Sequence, residues 1–101
     1  MNLLEDKLHV WLDSSRFVKA KPGVYVLYNK KNEVIYIGNT NNLQERFTKY
    51  LDSNFEGDIC KQKTVVYQRE FLDNPKERQI YLLEEFKNRF GKLPHCNENM
   101  D

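Results

Sequence analysis

Cysteine, histidine and long apolar runs are all scarce in this chain, and each scarcity excludes something. The two cysteines, Cys60 and Cys96, are too few and too far apart for the disulfide framework of a small secreted domain. Nothing resembles a secretory signal, so the expectation is a cytoplasmic protein with free thiols. No apolar run approaches the roughly 20 residues of a membrane-spanning helix. The histidines, His9 and His95, give no workable zinc-ligand spacing, even with Cys96 beside His95. Charge of one sign is also missing. A formal net charge of +1 neither argues for a nucleic-acid partner nor excludes one, and only a local basic face would matter. Lys19, Lys21, Lys30, Lys31, Lys61, Lys63 and Arg69 are candidates for such a face; scattered, solvated side chains are the equal alternative. There is no internal repeat and no low-complexity segment.

What is present is the composition of an ordinary globular domain, 40% hydrophobic and 31% charged. The 101 residues suffice for one domain with a modest core. The chain is organised around Gly23-Val24-Tyr25 and a second run, Tyr36-Ile37-Gly38. Between them lie Val26-Leu27-Tyr28, a polar break over 29–33, and Val34-Ile35. Two β-branched and aromatic runs flanking a turn-rich pentapeptide predict a β-hairpin. Its antiparallel pairing brings Tyr25 and Tyr36 together at one edge of a small sheet.

Upstream, Leu3, Leu4, Leu8, Trp11 and Leu12 recur at helical spacing, which predicts an N-terminal helix over 2–13 with an Asn2–Glu5 capping box. Pro22-Gly23 sets the entry to the hairpin. Downstream, a helix is predicted from Leu43 to Leu51, capped by Asn41 with Gln44 or by Asn42 with Glu45. Leu43, Phe47, Tyr50 and Leu51 form its apolar stripe, and Arg46 falls on the same stripe. A charge there is paired, has a task, or lies at the stripe's edge with its head in water. Residues 52–62 read as a polar loop with Gly57, and Thr64 to Phe71 as a third strand. The last helix runs from Pro75 to about Phe90, with Asn74 as N-cap, Glu77 completing the box, and Gly91 just past its end. Gln79 begins that helix's buried face, ahead of Leu82, Leu83, Phe86 and Phe90, whereas Glu84 and Glu85 fall on the solvated side. A buried amide is satisfied locally or belongs to a site. A short tail through Pro94 and Asn97 ends in acidic residues expected to fray.

Two tyrosines at a sheet edge, an inward arginine on the next helix and an inward polar residue on the last helix resemble the GIY-YIG nuclease family. Gly23-Val24-Tyr25 stands for the first motif, with Val for Ile, and Tyr36-Ile37-Gly38 matches the second. The resemblance covers residues 22–97. It implies an α+β fold, a three-stranded antiparallel sheet flanked by helices, here with the extra N-terminal helix, as a single domain over 1–101. It implies metal-dependent endonuclease activity on DNA with one divalent cation, Mg²⁺ or Mn²⁺. Tyr25 would then be the general base or would position water, and Tyr36 would bond the nucleophile or phosphate. Arg46 would stabilise charge on the phosphate. Tyr50 occupies a place where the family often has His or Tyr, and Asn97 matches the terminal asparagine that braces the site.

The family's metal ligand is a glutamate on the last helix, but Glu77-Arg78-Gln79 puts an amide in that register; Glu84 is the less favoured alternative. Glutamine brings no charge to a hard cation that is normally held through carboxylates. Three accounts are open: a natural loss of nuclease activity, an inactivating Glu→Gln replacement, or a different carboxylate as ligand. Asn39 also departs from the basic residue many members carry. A non-catalytic nucleic-acid-binding module and a protein-interaction module are the competing functions. No separate DNA-recognition domain is expected, so sequence specificity would be weak or supplied by a partner protein or homodimer; no membrane partner is implied.

Overall fold

A computed structural model describes residues 3–98. Asn2, half of the expected capping box, and the last three residues of the acidic tail lie outside the described residues. The hairpin forms as expected, β2 (Gly23–Tyr28) against β3 (Val34–Thr40), with Tyr25 opposite Gly38 and Leu27 opposite Tyr36. The strand after the long loop, β4 (Val66–Phe71), pairs with the other side of β2. It begins at Val66 rather than Thr64 because the Thr64 hydroxyl bonds the Lys61 carbonyl at 2.7 Å, closing a 3₁₀ turn over Lys61–Lys63.

The sheet has four strands, not three. A two-residue strand, β1 (His9–Val10), pairs antiparallel with β4 and gives the order β1-β4-β2-β3. It is taken from the segment expected to be the N-terminal helix, of which only α1 (Trp11–Ser14) is helical. The physical reason is divided burial. Leu4 and Leu8 pack with Val24, Val26, Leu82 and Phe86 on one face of the sheet. Trp11 packs with Tyr25, Phe47 and Tyr67 on the other. One helix cannot reach both faces. The backbone is held by tertiary bonds instead. Buried Gln68 accepts from Leu4 N (3.2 Å) and donates to Leu4 O (3.1 Å) and to Asp6 O. The Asp6 carboxylate meets Arg69 Nη1 at 3.0 Å.

Helix α2 (Leu43–Ser53) covers the Tyr25 face and α3 (Pro75–Phe90) the Val24 face. Asn42 caps α2 by accepting from Glu45 N at 3.0 Å. Asn74 makes no such side-chain bond at α3. Gly91 closes α3 in the left-handed region, at φ 79°, where glycine carries no Cβ penalty.

The largest correction concerns sulfur. Cys60 and Cys96 are not free thiols; they form a disulfide across 36 residues, with Cα atoms 5.6 Å apart. The loop after α2 and the 3₁₀ turn His95–Asn97 after α3 return to the same place. Distance along the chain carried no information about that meeting. Among the described residues, no helix is long and apolar enough to cross a membrane.

Candidate active site

Tyr25 and Tyr36 point to the same face of the sheet, because their strand positions are diagonal across the Tyr25–Gly38 and Leu27–Tyr36 pairs. Their ring centroids are 5.9 Å apart. Tyr25 stands on the interior strand β2 with no exposed surface, and Tyr36, on the edge strand β3, is buried as well. Helix α2 lies over them and brings Arg46 and Tyr50, one turn apart, onto the same spot. The Tyr25 and Tyr50 hydroxyls are 2.7 Å apart, and Arg46 Nη1 donates to the Tyr25 hydroxyl at 3.2 Å. Arg46 thus has a task on its stripe; it is half-buried with its guanidinium on a phenol.

Lys61 completes the cluster. Its Nζ donates to the Tyr50 hydroxyl at 3.4 Å and stands 4.1 Å from the centre of the Tyr36 ring, a cation–π geometry. Sequence reading placed Lys61 only among surface lysines. It sits in an irregular loop, where no periodicity assigns a direction to a side chain. Among the described residues, the carboxylate it meets is that of Asp58, 3.9 Å away.

Burial pushes the Tyr25 hydroxyl well above the ordinary phenol range, and the adjacent Tyr50 and Tyr36 add to this more than Arg46 offsets. Tyr25 is therefore a neutral hydrogen-bonding group at neutral pH. Tyr36 is raised by burial too, with Lys61 opposing. Burial works against the charges on Lys61 and Arg46, but the phenol oxygens facing them outweigh it and both are raised. Both cations stay charged. The cluster therefore presents two fixed positive charges and a phenol network.

Gly38 explains the tightness of this arrangement. A Cβ there would lie 2.4 Å from Tyr25 Cζ and 2.7 Å from Tyr36 Cε2, closer than carbon atoms approach. Gly23, at the other motif, would meet the Glu70 carbonyl oxygen at 2.4 Å.

Gln79 and Asn97 are brought together elsewhere, at the free edge of β3. Gln79 is buried at 6% exposure. Its Nε2 donates to Ile37 O at 2.9 Å and its Oε1 accepts from Asn39 Nδ2 at 2.5 Å. Asn97 accepts from Ile37 N at 2.9 Å and donates to Ile37 O at 3.0 Å. These amides satisfy the backbone groups that an edge strand leaves open. Ile37 O can only accept, so the amide NH₂ is what holds Gln79 in this pose; a carboxylate at the position turns away from Ile37 O. Glu84 is exposed on α3. Among the described residues no group of three or more His, Cys, Asp or Glu side chains converges. At position 79 the amide can offer a cation only a neutral oxygen, and that oxygen already accepts from Asn39.

A small antiparallel sheet between helices, with an Arg–Lys–phenol cluster behind two glycine-containing motifs, is the frame of a nuclease-family domain. The chain belongs to the GIY-YIG catalytic domain family, which it matches over residues 21–90. UvrABC system protein C of Pseudoalteromonas atlantica is 34% identical over 92 residues, covering 80% of this chain and 15% of that protein. Its namesake in Methanosphaera stadtmanae is 39% identical over 86 residues, covering 79% and 14%. The uncharacterized protein YurQ of Bacillus subtilis is 28% identical over 76 residues, covering 73% and 60%. The chain therefore spans a small part of the UvrC proteins it matches. In structure it resembles the GIY-YIG N-terminal endonuclease domain of UvrC from Thermotoga maritima, crystallised with magnesium as its catalytic divalent cation. The TM-score is 0.59 at 19% identity, covering 81% of this chain and 91% of that one.

Proposed function

We propose that this domain binds DNA through the phosphodiester backbone, at the cluster of Arg46, Lys61, Tyr25, Tyr36 and Tyr50, and that metal-dependent hydrolysis is suppressed at Gln79. The observation that carries the reading is the convergence of two charged donors on one pair of buried phenols. Arg46 offers a planar fork suited to phosphate oxygens, and Lys61 a compact point charge. Tyr25, Tyr36 and Tyr50 orient these donors and add neutral hydrogen bonds, while Asn97 braces β3 beneath them. DNA as partner agrees with membership of a nuclease family.

In family members the bound cation acts as a Lewis acid on the phosphate, an effect worth several kcal/mol. Without a carboxylate at position 79, the loss is on the order of a thousandfold or more in rate.

The test pairs binding with cleavage. A labelled duplex should bind the full chain in a salt-sensitive manner, and Arg46→Ala should weaken binding roughly tenfold. The chain should leave supercoiled plasmid intact in Mg²⁺ or Mn²⁺, whereas Gln79→Glu should nick it. Binding indifferent to both salt and Arg46→Ala would reject the reading. Nicking by the unaltered chain as fast as by Gln79→Glu would favour the second reading, a working metal-dependent endonuclease whose ligand is another carboxylate such as Glu84. Family membership is what supports that alternative.

A further inference from the structure

Lys61 and Asn97 are each the next residue after a half-cystine. Cys60 precedes the cation of the cluster, Cys96 precedes the asparagine that clasps Ile37, and one S–S bond joins them. The two sides are unequally anchored. Cys96 is buried at 5% exposure in the same core as Tyr25, Tyr36 and Tyr50. At the Cys60 turn itself, Asp58 Oδ1 accepts from Cys60 N at 3.0 Å and from Lys61 N at 3.2 Å. The loop is docked on either side of that turn, by buried Phe55 against Trp11 and Tyr50 and by Val65 N donating to Tyr28 O at 2.8 Å. The disulfide is the covalent link that sets the turn, and with it Lys61 Nζ, against Tyr36 and Tyr50.

We infer that the Cys60–Cys96 disulfide positions Lys61 for phosphate binding, so that DNA affinity at this site is controlled by thiol–disulfide exchange. This rests on the DNA-binding reading above. Cys60 lines an open groove of about 940 Å³ whose wall sets Lys30, Lys31, Lys63 and Lys92 against one carboxylate, Glu33. The groove gives an anionic small-molecule thiol a basic approach to that sulfur. Its thiolate attacks Cys60 Sγ; the Cys60–Cys96 bond breaks, and Cys96 leaves as a thiolate that takes a proton from solvent. A second thiolate resolves the mixed disulfide, and the released Cys60 thiolate takes a second proton. The chain gains two electrons and two protons, and two small thiols become one disulfide. Asn97 stays on Ile37 through its own hydrogen bonds, whereas the turn bearing Lys61 is released and one of the two cations leaves the site.

The experiment measures fluorescence anisotropy of a labelled DNA duplex with the full chain, oxidised or reduced by excess small-molecule thiol. It is run in the cold, with chelator and at low salt, while circular dichroism monitors the fold. Reduction should weaken binding roughly tenfold, the scale of one charged contact, and should lower the slope of log affinity against log salt by about one. Oxidised Lys61→Ala should show the same weakening and should no longer respond to thiol. Equal affinity of the oxidised and reduced chains would overturn the inference. So would Lys61→Ala responding to thiol as fully as the unaltered chain. Loss of the circular dichroism signature on reduction would also overturn it, since the bond would then be holding the fold rather than the site. Failure of the underlying reading looks different: the oxidised chain would not bind DNA, or Arg46→Ala would have no effect.

Discussion

Gly38 and Gln79 are the two residues on which the site turns, and they act by opposite means. Gly38 acts by having no side chain. The tyrosine rings occupy the space its Cβ would take, so Gly38→Ala must separate Tyr25 from its partners or displace β3. Overpacking of this kind costs about 1–3 kcal/mol or more. The expected result is a lower denaturation midpoint together with loss of DNA binding, checked by urea titration and anisotropy on the same preparation. Gln79 acts by having the right hydrogen-bonding pattern. Its position on the buried face of α3 was legible from helical spacing. Its partners, Ile37 O and Asn39, were not, because they lie on a strand 40 residues away or more in the chain. Arg46 was legible in the same partial way: spacing showed a charge on an apolar stripe, and the Tyr25 hydroxyl supplied the reason.

At the scale of elements, the N-terminal segment is where local pattern misled. Leucines at helical spacing marked a helix, yet residues 3–8 form bends and irregular backbone and His9–Val10 a short strand. Gln68 and Arg69 on β4 take up the polar groups of Leu4 and Asp6, and Leu4 and Trp11 are claimed by opposite layers. Periodicity reports which residues want burial, not whether one layer will bury them all. Asp6 is the polar anchor. Burial alone would raise its carboxyl, but hydrogen bonds from the Arg69 backbone and the charges of Arg69 and His9 hold it below the ordinary value. Its stabilising contribution is therefore complete above the unfolded value, near pH 4, and is lost as pH falls through the lower folded value. Asp6→Ala should cost about 1–2 kcal/mol at neutral pH. It should also remove part of the acid-side loss of stability below about pH 4. Hydrogen exchange should show faster exchange concentrated at Leu4 and Arg69.

For the whole molecule, the disulfide is the long-range constraint that the sequence did not announce. A loop closed across 36 residues restricts the unfolded chain by about 3–4 kcal/mol in the chain-entropy treatment. A domain of this size shifts its midpoint by about 4–8 °C per kcal/mol. Reduction should then lower the thermal midpoint by roughly 10–30 °C while leaving a folded chain in the cold. Calorimetry with and without thiol measures this. A shift of only a degree or two would mean that the bond constrains little beyond the Lys61 loop.

By itself, the sequence determined the hairpin, both later helices with their buried faces apart from exposed Phe90, and the inward placing of Tyr25, Tyr36, Arg46, Tyr50 and Gln79. These follow from local propensity, turn chemistry and periodicity, which act over a few residues at a time. Tertiary structure alone decided the fourth strand, the division of the N-terminal segment between two layers, the pairing of Cys60 with Cys96, and the arrival of Lys61 beside Tyr36 and Tyr50. Each of these depends on groups far apart in the chain meeting in space. A short sequence window holds only one partner of such a contact, and the energy that selects it exists only once the other has arrived.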